Sequence, residues 1–577
     1  MLSIPAPYTL PRTLRINRGL FITISVLFLL AITGPVSAAT IWPITNTTGA
    51  LGNAISHAAP GDSIVLGPGT YFENAITISQ SITIMANTSL GGNQSNTIID
   101  GQGRGNILWV STAGLSVAID NLTFRNGNSE VAGAIANNGI LSISSSTFAN
   151  SSGQGGAIAN TGNVSVVSTT FVNCQAIGGS GGAILNYATI SIRSSTFTNC
   201  SAHDGGGGAI FNNRGGVISI TSSTFTNCQA ADDSGGAINN YATISIRSST
   251  FTNCSAHDGG GAIYNFATGT LNITSTTFTG CSADAGGAIY NYDTGTLNIT
   301  SSIFTNCTAS SNGAAIWNGG VLNTTSLTFT NCQAEAGYGG AIYIAKAGTI
   351  TNITSATFTN CSAAAGGGAI TNVGTLIISL SNVTNCSADN GGAIYNGKTG
   401  MSSIIMSTFV GCLAKDTGDA IFNNKGGVIS IDSSSFTNPQ AAEGSDSEII
   451  NAGILSIASS TFTNCQASGL FATGGAIYNA NSGTITNITS STFTNCQASG
   501  LLAAGGAIYN ANSGTITTIT SSTFTNCQAS GLLAAGAAIY NAKSGTITTI
   551  TSSTFTNCQT SGLFAASGAV YNGGMGL

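Results

Sequence analysis

The sequence predicts an all-β fold, a parallel solenoid of about 20 short coils, and three observations lead to it. The chain has 577 residues but only 13 Lys and Arg and 19 Asp and Glu. It is therefore 6% charged, against roughly 25% for an ordinary globular domain. Its 77 glycines are too many for a helix bundle. Two short motifs alternate at a nearly regular interval along most of the chain, which is the signature of stacked repeats.

The segment 1–38 has the pattern of a secretory signal peptide. Arginines up to Arg18 precede an apolar run at 20–32, and Val36-Ser37-Ala38 predicts cleavage after Ala38. A retained membrane anchor is the alternative, although the run is short for a bilayer span. We therefore predict a secreted or cell-surface protein, associated with an envelope or outer membrane, and no transmembrane span once the signal is removed.

The rest of the chain divides into three parts by the length of the repeat. Residues 39–125 form N-terminal coils with little repetition, and residues 126–445 carry repeats of about 26 residues. Residues 446–577 carry longer repeats, mostly of about 31 residues, with an apolar loop inserted. No stretch after the signal shows a sustained helical period.

The first motif is Phe-x-Asn/Gly-Cys or a near variant, and every cysteine in the chain ends one. The 14 cysteines are Cys174, Cys200, Cys228, Cys254, Cys281, Cys307, Cys332, Cys361, Cys386, Cys412, Cys465, Cys496, Cys527 and Cys558. The one double interval falls where Pro439 stands in place of a cysteine. In a stack of coils these thiols would form either a buried packing ladder or disulfides between neighbouring coils.

The second motif is Gly-Gly-Ala-Ile-(Tyr)-Asn, as at 286–291, 391–396 and 505–510. Glycine permits a turn with positive φ, and asparagine tolerates the left-handed region at other corners. Stacked asparagines can also hydrogen-bond along the column. Short runs of alternating apolar and Ser/Thr residues lie between the motifs, so each coil should hold about three short strands and three turns.

These two motifs together, over 131–572, resemble the repeats of chlamydial polymorphic outer-membrane proteins. That resemblance implies a right-handed parallel β-helix and a surface-exposed passenger with an adhesive role. Here cysteine replaces the family's asparagine in the Phe motif. The first coils, with Pro68-Gly69-Thr70-Tyr71 and Ile98-Ile99-Asp100-Gly101, resemble pectin-lyase-like β-helix proteins, many of which act on polysaccharides.

Aspartates recur six or seven positions after the repeat phenylalanine in four consecutive coils. They are Asp204, Asp232, Asp258 and Asp284. Stacked in register, they would lie about 5 Å apart, close enough to act as acids and bases on a polysaccharide. Three of them, Asp232, Asp258 and Asp284, are also candidates to bind calcium. The alternative is a solvated turn that recruits Asp for its conformation.

Apolar pairs recur at equal spacing in the last four coils. They are Leu470, Phe471, Leu501, Leu502, Leu532, Leu533, Leu563 and Phe564. Stacked, they would form a stripe about 15 Å tall, which if exposed indicates a partner or self-association surface. The alternative is that these loops fold back and cover the coil.

We therefore expect a structural and adhesive role, with a surface protein or glycan of a host or neighbouring cell as partner. A net charge of -6 without a basic cluster argues against nucleic acid. The alternative function is a polysaccharide lyase or glycoside hydrolase that uses the stacked aspartates with or without calcium. No other cofactor is expected.

Overall fold

The protein is a parallel β-helix, as the sequence predicts. The computed structural model describes residues 39–437, 447–566 and 568–573, and all paired strands within them are parallel. The predicted signal peptide and Pro439 lie outside the described residues.

One repeat shows how a coil is built. Its four strands are Ile210–Asn212, Val217–Thr221, Thr224–Thr226 and Gln229–Ala230. They pair in register with the next coil's strands Ile238–Asn240, Thr243–Arg247, Thr250–Thr252 and Ser255–Ala256. The sequence predicts about three strands, and the fourth was missed because it is too short to show the alternation that marks a strand.

Stacking of the coils makes four main sheets, which we name by content, and two small sheets of four and two strands in the last coils. The long sheet holds 20 strands, from Ile41–Ile44 to Thr546–Thr551. The Phe sheet holds 19 strands, from Gly69–Phe72 to Thr554–Thr556, and the Asn sheet holds 19, from Ile76–Ile78 to Val570–Asn572. The short sheet holds 12, from Asn128–Ser129 to Leu413–Thr417. The long sheet thus matches the predicted number of coils.

The core is one continuous column, because each coil buries its apolar side chains against the coils above and below. Phenylalanines of the Phe sheet stack with ring centroids 4.6–5.2 Å apart and rings within 12° of parallel. Isoleucines such as Ile218 and Ile220 fill the space behind the long sheet and are about 1% exposed or less. Val383 takes the place of one phenylalanine.

Three corners of each coil hold residues with positive φ. In one coil these are Ser222 (51°), Asn227 (51°) and Gly235 (74°). The glycine and asparagine corners are those that the sequence predicts. The serine corner, just before the Phe strand, is tight enough that the next serine's hydroxyl donates back across it, as Ser223 Oγ does to the Thr221 carbonyl (3.0 Å).

Buried asparagines form a ladder along the Asn sheet. Each Nδ2 donates to the Oδ1 of the asparagine in the following coil at 2.6–2.9 Å. The ladder runs from Asn137 to Asn318 and again from Asn372 to Asn572. It breaks where Ile344 replaces asparagine, and there the Asn318 amide donates to Thr351 Oγ1 (3.0 Å) instead.

The cysteines are free thiols, and all but Cys558 are buried. Their Sγ atoms lie near backbone carbonyls, as Cys174 does to Phe148 (3.5 Å). Burial raises the pKa of the Cys174 and Cys228 thiols, and that of Cys412 to about 12. This arrangement is the packing ladder, the first of the two alternatives that the sequence leaves open.

The all-β chain contains one short α-helix in its described residues. Ala50–His57 is an α-helix with Leu51, Ala54 and Ile55 buried. Its N-terminal backbone is held by Glu73, whose carboxylate accepts hydrogen bonds from the N–H groups of Leu51 and Gly52, both at 2.7 Å. The helix lies against the first coils, and the carboxylate satisfies donors that a helix N-terminus leaves unpaired. No helix within the described residues is long and apolar enough to span a membrane.

Candidate functional site

The aspartates singled out in the sequence lie in the loops that join the short sheet to the Asn sheet. All four are exposed. Asp204 accepts a hydrogen bond from the Gly178 N–H (3.1 Å), and Asp284 Oδ2 accepts one from Ser311 Oγ (3.3 Å). Asp258 pairs with His257, Nδ1 to Oδ1 at 2.8 Å, and this hydrogen bond raises the pKa of His257.

Asp258 and Asp284 are brought together, and Asp204 and Asp232 are not part of the same groove. The N–H of Ala285 donates to the Asp258 carbonyl (3.0 Å), which sets these two aspartates side by side in adjacent coils. The neighbour of Asp258 on its other side is Asp233, whose carbonyl accepts from the Asp258 N–H (3.3 Å). Burial, and then the Asp258 charge, raise the pKa of Asp233.

The register explains why Asp233 takes the place predicted for Asp232. The loops differ in length, and in-register positions are fixed by the glycine pair that follows them. Counted back from that pair, Asp233, Asp258 and Asp284 share one offset, whereas Asp204 and Asp232 lie one position earlier. Counting from the phenylalanine, which precedes the loop, selects Asp232 when the residue in register is Asp233.

Asp258 and Asp284 form one wall of a groove of about 320 Å³, which we call the acidic groove. Its lining residues are Ser234, Asp258, Gly259, Tyr264, Asp284, Ala285 and Tyr290. Burial raises the pKa of Tyr264, and that of Tyr290 to about 12. Both phenols therefore stay protonated at neutral pH, so they can donate hydrogen bonds but are poor bases.

The tyrosines belong to an aromatic surface that sequence reasoning missed. Tyr264, Tyr290, Trp317 and Tyr343 form a column with centroids 4.1–6.4 Å apart. A second column of Phe211, Tyr241, Phe266 and Tyr292 runs beside it at 4.5–5.5 Å. The signal was present in Ala-Ile-Tyr-Asn, because a residue between inward-facing Ile and Asn must point outward.

The structure places the predicted partner surface on the outside of the last four coils. Leu470 and Phe471 are 57% and 64% exposed, and Leu563 and Phe564 are 77% and 63% exposed. Leu501 and Leu532 are also exposed, while Leu502 and Leu533 are half-buried. These eight residues are the apolar stripe. Beneath it, six buried alanines pack on one another: Ala467, Ala472, Ala498, Ala503, Ala529 and Ala534.

Within the described ranges, no three His, Cys, Asp or Glu side chains converge as a metal site. The acidic groove contains two carboxylates, and the third candidate for calcium, Asp232, does not line it. The role predicted for these aspartates stays a prediction.

Comparison with known proteins gives the hand of the helix. Residues 181–362 match a family model described as a right handed beta helix region. No curated protein matches the chain. Among solved structures, the chain is similar to the PL6 family alginate lyase AlyGC at 10% identity and a TM-score of 0.31, covering 92% of this chain and 100% of that one.

Two further structures show weaker similarity. The alginate lyase AlyF-OU02, in complex with G6, is 11% identical with a TM-score of 0.22, covering 75% of this chain and 86% of that one. ORF18 of Geobacillus virus E2 is 15% identical with a TM-score of 0.17, covering 63% and 58%. None of these similarities bears on chemistry.

Proposed function

We propose that this chain is a secreted or cell-surface rod with a structural and adhesive role, and that the apolar stripe is its contact surface. The stripe is the observation that supports the proposal. Large apolar side chains are in register over four coils, and the paired outermost positions are more than half exposed in the first and last of them. A contiguous apolar patch of this kind marks a contact surface.

The alanine packing beneath the stripe makes the contact surface rigid. The strands Leu502–Ala504 and Leu533–Ala535 pair in register, and their alanines Ala503 and Ala534 are fully buried. Leu501 and Leu532 therefore lie on the outside of a packed layer, and Leu502 and Leu533 beside them are half-buried. Such preorganisation lowers the entropy cost of binding, and the expected partner is a protein surface of a host or neighbouring cell.

A matched pair of variants tests the proposal. The stripe variant replaces Leu470, Leu501, Leu532 and Leu563 by Ser. The control replaces Ile303, Ile350, Ile377 and Ile454 by Ser, four exposed isoleucines scattered along the rod. Binding of the purified chains to cells is measured by flow cytometry, and mass by light scattering. We expect the stripe variant to lose binding and the control to keep it. Equal binding by both would remove the stripe as the contact surface.

The acidic groove favours a second candidate, an enzyme that cleaves polysaccharides. Adjacent strands place the backbones of Asp258 and Asp284 about 4.8 Å apart, which allows their carboxylates to approach the roughly 5 Å separation of retaining glycoside hydrolases. The raised pKa of Tyr264 and Tyr290 argues against either of them acting as a phenolate base in a lyase reaction.

Assays on acidic and neutral polysaccharides, with and without calcium, separate the two functions. Turnover lost in Asp258→Asn and Asp284→Asn, but kept in the exposed control Asp432→Asn, would replace the adhesive role by the enzymatic one. Absence of turnover in the parent chain on every substrate leaves the adhesive proposal standing.

A further inference from the structure

The outer face of the Phe sheet carries two ranks of threonine. In each three-residue strand the phenylalanine points inward and its two neighbours point outward. Seventeen consecutive coils have this strand, from Thr123–Arg125 to Thr554–Thr556; the first carries Arg125 at an outward position, and the other 16 begin at Thr147–Ala149. The first outward position is Thr in 13 of these 16 coils, with Ile303, Asn382 and Ser435 as exceptions. The second is Thr in another 13, with Ala149, Val172 and Val410 as exceptions. We call these two ranks the threonine face.

The threonine face is flat. Neighbouring phenylalanines beneath it, from Phe148 to Phe358 and from Phe409 to Phe555, keep their rings within 12° of parallel. Ring planes turn with the strands that carry them, so each coil repeats the last one almost without rotation. Sheets of many strands ordinarily twist, by roughly 20° per strand. The near-parallel rings indicate that this sheet twists much less from coil to coil.

The face is uncharged, and most of its hydroxyls are free. None of the 32 outward positions in these 16 coils carries a charge. Among the described residues, hydroxyl hydrogen bonds on the face join Thr250 to Thr224 (3.3 Å) and Ser435 to Thr437 (3.5 Å). The other threonine hydroxyls of the face donate to no described protein atom, so they are available to a ligand.

The neighbouring long sheet shows that the fold does not impose this regularity. Its strands pair in equally strict register, yet threonine fills its first and last outward columns in only 8 of the same 16 coils each, and the last column also holds Arg193, Arg247 and Asp432. Both faces are solvated and both need β-forming residues. Threonine is thus more regular on the threonine face, at 13 of 16 coils in each rank, and this regularity indicates a ligand that is itself regularly repeated.

The spacing identifies the class of ligand. Hydroxyl rows lie about 4.8 Å apart from coil to coil and roughly 6.6 Å apart along the strand. These two repeats are similar to oxygen repeats of hexagonal ice. A flexible polymer adapts to a surface and gains little from 16 identical rows, whereas a crystal surface binds in proportion to the number of positions that match it. Each threonine offers a hydroxyl that can replace a lattice water and a methyl group that disfavours disordered water.

We propose that the threonine face binds ice. This inference goes beyond the adhesive role and uses a different surface from the apolar stripe. The uncharged surface fits it, because an ammonium or carboxylate holds its own hydration shell and would disrupt the match to the lattice. Both ranks are threonine in four successive coils at two places, Thr196 to Thr279 and Thr461 to Thr556.

Ice recrystallisation and thermal hysteresis of the purified full chain test the proposal directly. The face variant replaces Thr226, Thr279 and Thr330 by Lys, in alternate coils so that the new charges do not meet. The matched control replaces Thr221, Thr274 and Thr325 by Lys in the same coils. These three are outward positions of the long sheet, in a column that already contains Arg247.

We expect the parent chain and the control to slow recrystallisation and to separate the freezing and melting temperatures, and the face variant to lose both effects. Circular dichroism of all three chains checks the fold. If the face variant does not fold, Thr226→Val and Thr279→Val, which keep shape and remove the hydroxyl, are measured instead and should weaken the effects. A parent chain without either effect, or a folded face variant equal to the control, would overturn the proposal.

Discussion

The rod contains two kinds of coil, and their comparison shows how such a chain acquires a surface. In the shorter coils, which lie within 126–445, the strand after the cysteine joins the 12-stranded short sheet and the chain then turns directly into the glycine pair. In the longer coils, which lie within 446–577, the same strand lengthens, as in Gln497–Ser499, and belongs to a separate four-stranded sheet. The inserted segment adds a further strand, Leu502–Ala504.

The difference shows that the inserted loops are packed on a small hydrophobic layer separate from the main core. The main core is unchanged across the two regions, since Phe225 and Phe251 stack at 4.7 Å and Phe493 and Phe524 at 4.8 Å. The added alanines are buried against each other, and only the leucines remain outside. Variation is thus confined to a layer outside the column, and the column stays constant.

The largest expected loss of stability tests whether the two kinds of coil share one continuous core. Phe251→Ala and Phe493→Ala, one in each kind of coil, should each destabilise the rod locally by about 3–5 kcal/mol because each leaves a cavity in the same column. Native-state hydrogen exchange around each site measures the loss. A much smaller loss for Phe493 would show that the alanine layer supports the longer coils independently.

The boundary between the two regions contains a buried acid whose titration should be measurable. Glu448 is 2% exposed, and its Oε2 has no hydrogen-bond partner among the described residues. Burial, and then the charge of Asp419, raise its pKa well above the usual value. The folded state therefore holds a proton that the unfolded chain releases above about pH 4.5.

Stability should accordingly fall as the pH rises from about 4.5 toward the raised pKa of Glu448, by about 1.4 kcal/mol per pH unit. Glu448→Gln keeps the neutral form and should remove this loss, so it stabilises at neutral pH and has little effect well below about pH 4.5. Urea unfolding of the parent chain and of Glu448→Gln, from below about pH 4.5 to neutral pH, measures this change in stability. The exposed Glu335→Gln is the control. A stability unchanged by Glu448→Gln at neutral pH would show that the carboxylate is not held neutral.

A smaller effect should be confined to the longer coils. Ala503→Leu overfills the alanine layer and should cost about 1–3 kcal/mol, with the loss restricted to 466–573. Ala364→Leu, at an exposed loop position of a shorter coil, is the control and should be near neutral. Proteolysis of the two variants under native conditions distinguishes them. Equal resistance would mean that the layer is loosely packed.

The smallest effect on stability should be found on the apolar stripe. Leu501 is 46% exposed, so Leu501→Ser should change the unfolding free energy by no more than about 0.5 kcal/mol. Leu455→Ser, at a fully buried position of the long sheet, is the contrasting variant and should be strongly destabilising. Thermal unfolding compares them. A large loss for Leu501→Ser would mean that the stripe stabilises the coil and is not free for a partner.

The fold could be predicted because the same pattern of motifs recurs in many coils. The pattern of a single coil would not have been enough. The helix at Ala50–His57 occurs once and is too short for a sustained period, although Leu51, Ala54 and Ile55 show the helical spacing. The alanine layer was also missed, because alanine indicates neither a core nor a surface until neighbouring loops are seen to pair.

The site was predicted less well than the fold because side-chain neighbours depend on register within loops of unequal length. Asp258 and Asp284 could be paired from the sequence, but the choice between Asp232 and Asp233 depended on which end of the loop fixes the count. The residue types of the groove were visible, whereas the lean of Tyr290 over Gly259, whose missing side chain leaves room for the ring, required the structure.

The buried asparagine ladder gives the rod a direction. All its amides point the same way, with the NH2 group toward the following coil, so their individual dipoles add as peptide dipoles do in a helix. The exposed asparagine column at the corners points the opposite way, as Asn199 does toward Asn173, but water screens it. Each of the two segments of the buried ladder therefore contributes an axial field, with its positive end toward the C-terminus, and the two ends of the rod differ electrically although few of its residues are charged.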